Sequence, residues 1–75
     1  MTLNELKNKQ SAIIKALPQN ETLAMQLMEQ GVFPELEVRI AHKGIWRGPI
    51  AIKLNNTKIA LGFDVAKQID VELIA

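Results

Sequence analysis

The stretch IAIKLNNTKIAL, residues 50–61, decides the fold. Ile50, Ile52 and Leu54 alternate with Ala51 and Lys53 up to Asn55-Asn56, and Thr57, Ile59 and Leu61 resume the alternation behind that dipeptide. Period-two patterning belongs to a strand with one buried face, and Asn tolerates the positive φ that a two-residue hairpin loop demands. The spacing predicts a hairpin in which Leu54 faces Thr57, Ile52 faces Ile59 and Ile50 faces Leu61 on one side of the sheet. On the other side it sets Lys53 against Lys58 and Ala51 against Ala60. Like charges directly opposite are mildly destabilising, so that side is expected to face solvent or something anionic, with solvent the simpler reading.

Upstream, Leu36, Val38 and Ile40 alternate with Glu37 and Arg39, which predicts another half-buried strand, and Lys43 to Gly48 reads as a loop. Before it lies a helical pattern from Thr22 to Gln30, with Leu23, Ala24, Leu27 and Met28 on one face, Asn20 or Thr22 as the N-cap and Gly31 as the residue beyond the C-cap. Met25 and Met28 are expected in the core or at the rim of that packing. Ser11 to Leu17 is a β-branched run closed by Pro18. Downstream, Asp64 is expected to cap one helical turn, DVAKQ, before Ile69, Val71 and Leu73 alternate as a last strand. A single short helix cannot bury itself and must lie against a sheet. The fold class expected is mainly β: a small SH3-like barrel of about five strands with one short α-helix and one helical turn, since closure is how small all-β chains remove free edges.

Seventy-five residues make one domain, 1–75, and 48% hydrophobic with 23% charged residues is a globular composition that excludes disorder. With Trp46, Phe33 and Phe63 the only aromatics, the core must be aliphatic. The chain has no cysteine, which excludes disulfides, thiolate metal sites and cysteine nucleophiles. It shows neither a signal-peptide apolar run nor a membrane-length one, so a cytoplasmic location is expected. Charge is uneven: between Val38 and Lys67 stand six cations, Arg39, Lys43, Arg47, Lys53, Lys58 and Lys67, against Asp64 alone. A solvated surface explains such a run, and an anionic partner is the sharper alternative.

The order of these elements, with Leu27, Gly31, Val32, Pro34, Val38, Pro49, Ile59, Ala60, Leu61, Ala66, Ile69 and Val71 at the matching places, resembles the ferrous iron transport protein A (FeoA) family nearly end to end. The family usually has glycine where this chain has Glu35, and often Pro-Gly where it has Asn8-Lys9. A glutamate adopts positive φ less cheaply than glycine, so the turn at Glu35 is expected to be of another type or mildly strained. The resemblance implies a small cytoplasmic accessory of the bacterial ferrous iron uptake system, located at the inner membrane through its partner. That partner is ferrous iron transport protein B, the GTPase-containing membrane transporter. The same barrel occurs as the C-terminal domain of metal-dependent repressors, and fold alone does not fix function.

No paired carboxylates, nucleophile-base pair or glycine-rich phosphate loop appears, so the chain is read as no enzyme and as needing no cofactor. His42 is the only histidine and has no acidic residue nearer in sequence than Glu37, so it is read as a polar residue ending a strand, not as a metal ligand. The loop KGIWRG, residues 43–48, is the best interaction signal. Ile45 and Trp46 either fold back over the barrel end or stand out as anchors of the residue type enriched in binding hot spots. Arg47 would be the accompanying charge, and Lys53 with Lys58 completes the candidate partner-binding set. A nucleic-acid-binding barrel is the competing class, but base-stacking platforms need several exposed aromatics. Weak self-association is a third.

Overall fold

The computed structural model describes residues 1–74. Five strands form one antiparallel sheet: β1 (Ser11–Ala16), β2 (Glu37–Lys43), β3 (Ile50–Leu54), β4 (Thr57–Leu61) and β5 (Asp70–Leu73), in the spatial order β4-β3-β2-β1-β5. Helix α1 (Glu21–Glu29) joins β1 to β2, and a single turn, α2 (Phe63–Ala66), joins β4 to β5. The inward residues of the strands, among them Ile14, Val38, Ile40, Ile50, Ile52, Leu54, Leu61 and Val71, form one buried aliphatic core.

The β3–β4 hairpin has the register that its alternation dictates. Leu54 pairs with Thr57, Lys53 with Lys58, Ile52 with Ile59, Ala51 with Ala60 and Ile50 with Leu61, and Asn55 supplies a positive φ of 51°. Helix α1 is capped by Asn20, whose Oδ1 accepts from the Leu23 N–H at 3.0 Å. It ends in a Schellman motif: Gly31 at φ 97° donates to Met28 O at 3.0 Å, and Val32 donates to Leu27 O at 2.9 Å. Leu27 is its one buried residue. Met28 is half-buried at the rim, whereas Met25 is 60% exposed, because it sits off the Leu23–Leu27 stripe.

Two further local expectations are corrected. Asp64 does not cap α2: Gly62 is the N-cap and offers no side chain, while Asp64 lies inside the first turn and pairs with Lys67 at 3.4 Å. Lys43 belongs to β2 rather than to the loop, since it pairs with Ile50. The N-terminal stretch, which shows no strand or helix period, is also structural. Leu3–Glu5 form a 3-10 turn, and Leu3 and Leu6 are wholly buried. Leu3 donates to Ile69 O at 2.9 Å and Val71 donates to Met1 O at 2.8 Å, so this segment lies along β5. The Thr2 N–H donates to Glu5 Oε1 at 2.7 Å, and this bond, with that from the Thr2 hydroxyl, holds the Glu5 carboxyl below the usual glutamate range.

The glutamate at position 35 keeps a left-handed backbone, with φ 73°, and Lys9 does likewise at 70°. Both turns are therefore strained rather than rebuilt. Each is locked by main-chain bonds: Glu35 donates to Ile14 O at 2.7 Å, and Lys9 donates to Ile40 O at 2.8 Å.

Candidate functional site

The loop between β2 and β3 closes over a base too tight for side chains. Gly44 donates to Pro49 O at 2.9 Å and Gly48 to Ile45 O at 3.1 Å. A Cβ on Gly44 would stand 3.0 Å from Pro49 O, and one on Gly48 only 2.9 Å from Ile45 O. Neither glycine has positive φ, so close approach is the reason for both. The left-handed positions fall instead on Trp46 (φ 55°) and Arg47 (φ 60°), which costs of order 1 kcal/mol apiece. That conformation turns the tip outward. Trp46 is 94% exposed and Ile45 81%, so neither folds back over the barrel. Arg47 does fold back: its guanidinium carbon stands 5.4 Å from the centre of the Phe63 ring, a cation–π contact with the start of α2.

Lys53 and Lys58 are not part of that tip. They flank the Asn55-Asn56 turn at the far end of the hairpin, three residues of strand below Ile50, or about 10 Å. Their neighbour is Arg39, which pairs with Lys53 across β2 and β3. A bulge between Ile40 and His42 sets this register. Continuing the outer pairs Lys43–Ile50 and His42–Ala51 without it would set Ile40 against Lys53, a core residue against a surface one. The extra residue, Ala41, keeps Ile40 against Ile52 and so brings Arg39 into line with Lys53 and Lys58. Sequence reasoning misses Arg39 as a member of this group, because a six-residue loop fixes no register and no residue type marks the bulge.

The six cations of the middle segment now divide. Lys43 donates to Asn4 O at 2.7 Å and Leu6 O at 3.0 Å, tying β2 to the N-terminal turn. Arg47 lies on Phe63, and Lys67 pairs with Asp64. The remaining three, Arg39, Lys53 and Lys58, form an exposed row across three strands, and among the described residues none of them has an ion-pair partner within 4 Å. A shallow depression beside the row is lined by Glu37, Arg39, Lys53 and Asn55. His42 stands exposed at the next level of the same face, opposite Ala51. Among the described residues no three His, Asp or Glu side chains gather where they could hold a metal.

A family model, the FeoA domain, matches residues 1–73. The chain is 35% identical over 74 residues to the Fe(2+) transport protein A of Campylobacter jejuni, spanning 99% of this chain and 100% of that one. Among solved structures it is similar to FeoA of Stenotrophomonas maltophilia complexed with zinc, described as a prokaryotic SH3 domain protein. The identity there is 32%, over 96% of this chain and 89% of that one, with a TM-score of 0.82. A manganese-dependent transcriptional repressor superposes with a TM-score of 0.89 on 99% of this chain and 41% of its own; at 13% identity that likeness shows the fold alone.

Proposed function

Because this chain belongs to the FeoA family of ferrous iron transport accessories, we propose that it acts in the cytoplasm by docking onto the GTPase-containing membrane transporter, ferrous iron transport protein B. It performs no catalysis of its own. The anchor is the β2–β3 loop, with Trp46 and Ile45 as the apolar contacts and Arg47 as the charge beside them, while Lys53 and Lys58 add a positive surface at the far end of the hairpin. One observation supports this most: a tryptophan 94% exposed at the tip of a loop whose backbone holds it outward. Exposed singly it stabilises nothing in the fold, and burying it at an interface contributes about 2–4 kcal/mol. In the described chain no helix is long and apolar enough to cross a membrane, which fits a role at the membrane through a partner.

Trp46 is the only tryptophan and there is no tyrosine, so its fluorescence reports on this loop alone. The free protein should emit in the red, and adding the transporter's GTPase domain should shift the maximum to the blue. Trp46→Ala should abolish binding of that domain with an unchanged thermal melt. Binding that saturates without an emission shift, or that survives Trp46→Ala, would place the docking surface elsewhere.

A further inference from the structure

The sheet has two edges, and the chain treats them differently. The edge at β5 is occupied by the N-terminal segment, through Val71 to Met1 O, Leu3 to Ile69 O and the bridge between Thr2 and Asp70. On the side of β4 away from β3, no strand and no other main-chain group bonds it among the described residues. A two-residue loop makes Leu54 and Thr57 a hydrogen-bonded pair, so alternation gives Ile52–Ile59 and Ile50–Leu61 the same character. Lys58 and Ala60 fall between them and aim their N–H and C=O groups outward. Proteins blunt such an edge with proline, bulges or charges. Here the strand has no proline and its pairing no bulge, and its single charge is Lys58.

That charge stands at the edge end of the Arg39–Lys53–Lys58 row. Strands repeat about every 4.8 Å, and Lys53–Lys58 is a non-hydrogen-bonded pair, the kind with the closer side chains. Glu37 offsets some of the charge at the β2 end, where it lines the depression with Arg39 and Lys53, so the uncompensated end is at β4. We propose that the open edge of β4 receives an extended acidic segment of a partner protein as a sixth strand. The segment pairs its backbone with Lys58 and Ala60 and sets a carboxylate beside Lys58, where the next strand's residue joins the row. A second copy of this chain fits the edge less well, because it would bring its own cation row alongside this one. The inference gives a mode to Lys53 and Lys58 and does not depend on the role of Trp46.

The test uses isotope-labelled protein and three capped synthetic peptides: TEVEVET, its counterpart with lysine for each glutamate, and a third with proline for each valine. The glutamate peptide should slow hydrogen exchange at the Lys58 and Ala60 amides. It should bind at least about fivefold more tightly than the lysine peptide in low salt, a preference that shrinks near ~0.3 M salt. Ala60→Pro removes only an outward donor, which an edge strand tolerates, and should abolish binding; Lys58→Glu should reverse the order of the two charged peptides. If Ala60→Pro perturbs the fold by circular dichroism, the exposed Lys58→Glu decides alone. Trp46→Ala should leave peptide binding unchanged, which separates failure here from failure of the loop reading. The proposal is overturned if the proline peptide binds as well as the glutamate one, if a short single-stranded oligonucleotide binds the same residues more tightly, or if the Lys58 and Ala60 amides are protected by concentrating the protein alone.

Discussion

Replacing Glu35 by glycine should stabilise this protein, while replacing Gly31, four residues earlier, by alanine should destabilise it. Both positions have a left-handed backbone, with φ 73° and 97°. Holding a residue with a Cβ there costs about 1–2 kcal/mol, and glycine gives back about 0.5–1 kcal/mol through the freedom it adds to the unfolded chain. Glu35 also loses its contact with Lys15, but that pair is 3.4 Å long and exposed, so it contributes at most about 0.5 kcal/mol. The net for Glu35→Gly is a gain of about 0.5 kcal/mol. Lys9, at φ 70°, forms no salt bridge among the described residues, so Lys9→Gly with Glu35→Gly should reach about 1 kcal/mol, or roughly 4–8 °C in the midpoint of a domain this small. Gly31→Ala meets no atom within 4 Å of the new Cβ, so its loss is backbone strain less the freedom removed from the unfolded chain, about 0.5–1 kcal/mol net. Thermal unfolding followed by far-ultraviolet circular dichroism is the right assay, because an exposed Trp46 reports little on unfolding. Glu35→Ala is the control: it removes the ion pair and keeps the strain, so its midpoint should fall slightly or not at all. A Glu35→Gly midpoint below that of Glu35→Ala would refute the reasoning, since relief of strain would then be outweighed by the added freedom of the unfolded chain.

Leu27→Ala, at the one buried position of α1, should cost about 2–4 kcal/mol in urea unfolding by leaving a cavity under the helix; an unchanged midpoint would mean the helix does not pack through this residue. Anaerobic calorimetry should find no ferrous iron binding tighter than about 10 μM, because the chain offers a lone histidine and no cysteine; stoichiometric binding lost in His42→Ala would point to two copies sharing that residue. Glu5 has a lowered carboxyl pKa in the folded chain, so its contribution is present above the ordinary glutamate pKa and is lost as pH falls through the folded value. The protection of the Leu3 and Val71 amides, measured relative to their intrinsic exchange rate at each pH, should fall on acidification through that window, and Glu5→Gln should remove the pH dependence attributable to this group.

The strands were legible where the sequence supplied both a period and a turn. In the Asn55-Asn56 hairpin every pair follows from the two-residue loop and the alternation around it. Asn20 and Gly31 likewise marked the ends of α1 through the chemistry of caps. The N-terminal turn had weaker signals: Leu3 and Leu6 share no period with their neighbours, and only the Thr2–Glu5 spacing, a capping-box signature, could have flagged it. Asp64 shows the opposite error, a good capping residue displaced by one turn geometry that begins at Gly62.

The candidate surface was half legible for a related reason. Exposure of Trp46 could not be settled from composition, because an apolar residue in a short loop packs inward or outward according to backbone angles that Gly44 and Gly48 constrain only through close approach. Arg39 illustrates the stronger case. Whether it shares a row with Lys53 depends on a single unpaired residue, Ala41, and one step of register moves a whole strand to the opposite face. The core demanded the bulge: Ile40 must meet Ile52, while Lys43 must still reach back to the carbonyls of Asn4 and Leu6. The requirement that buries Ile40 therefore also assembles three like charges on the outside, in a row across β2 and β3 that ends at β4, whose outward main-chain groups have no partner among the described residues. Packing explains why the row exists, and it contributes nothing that would neutralise it.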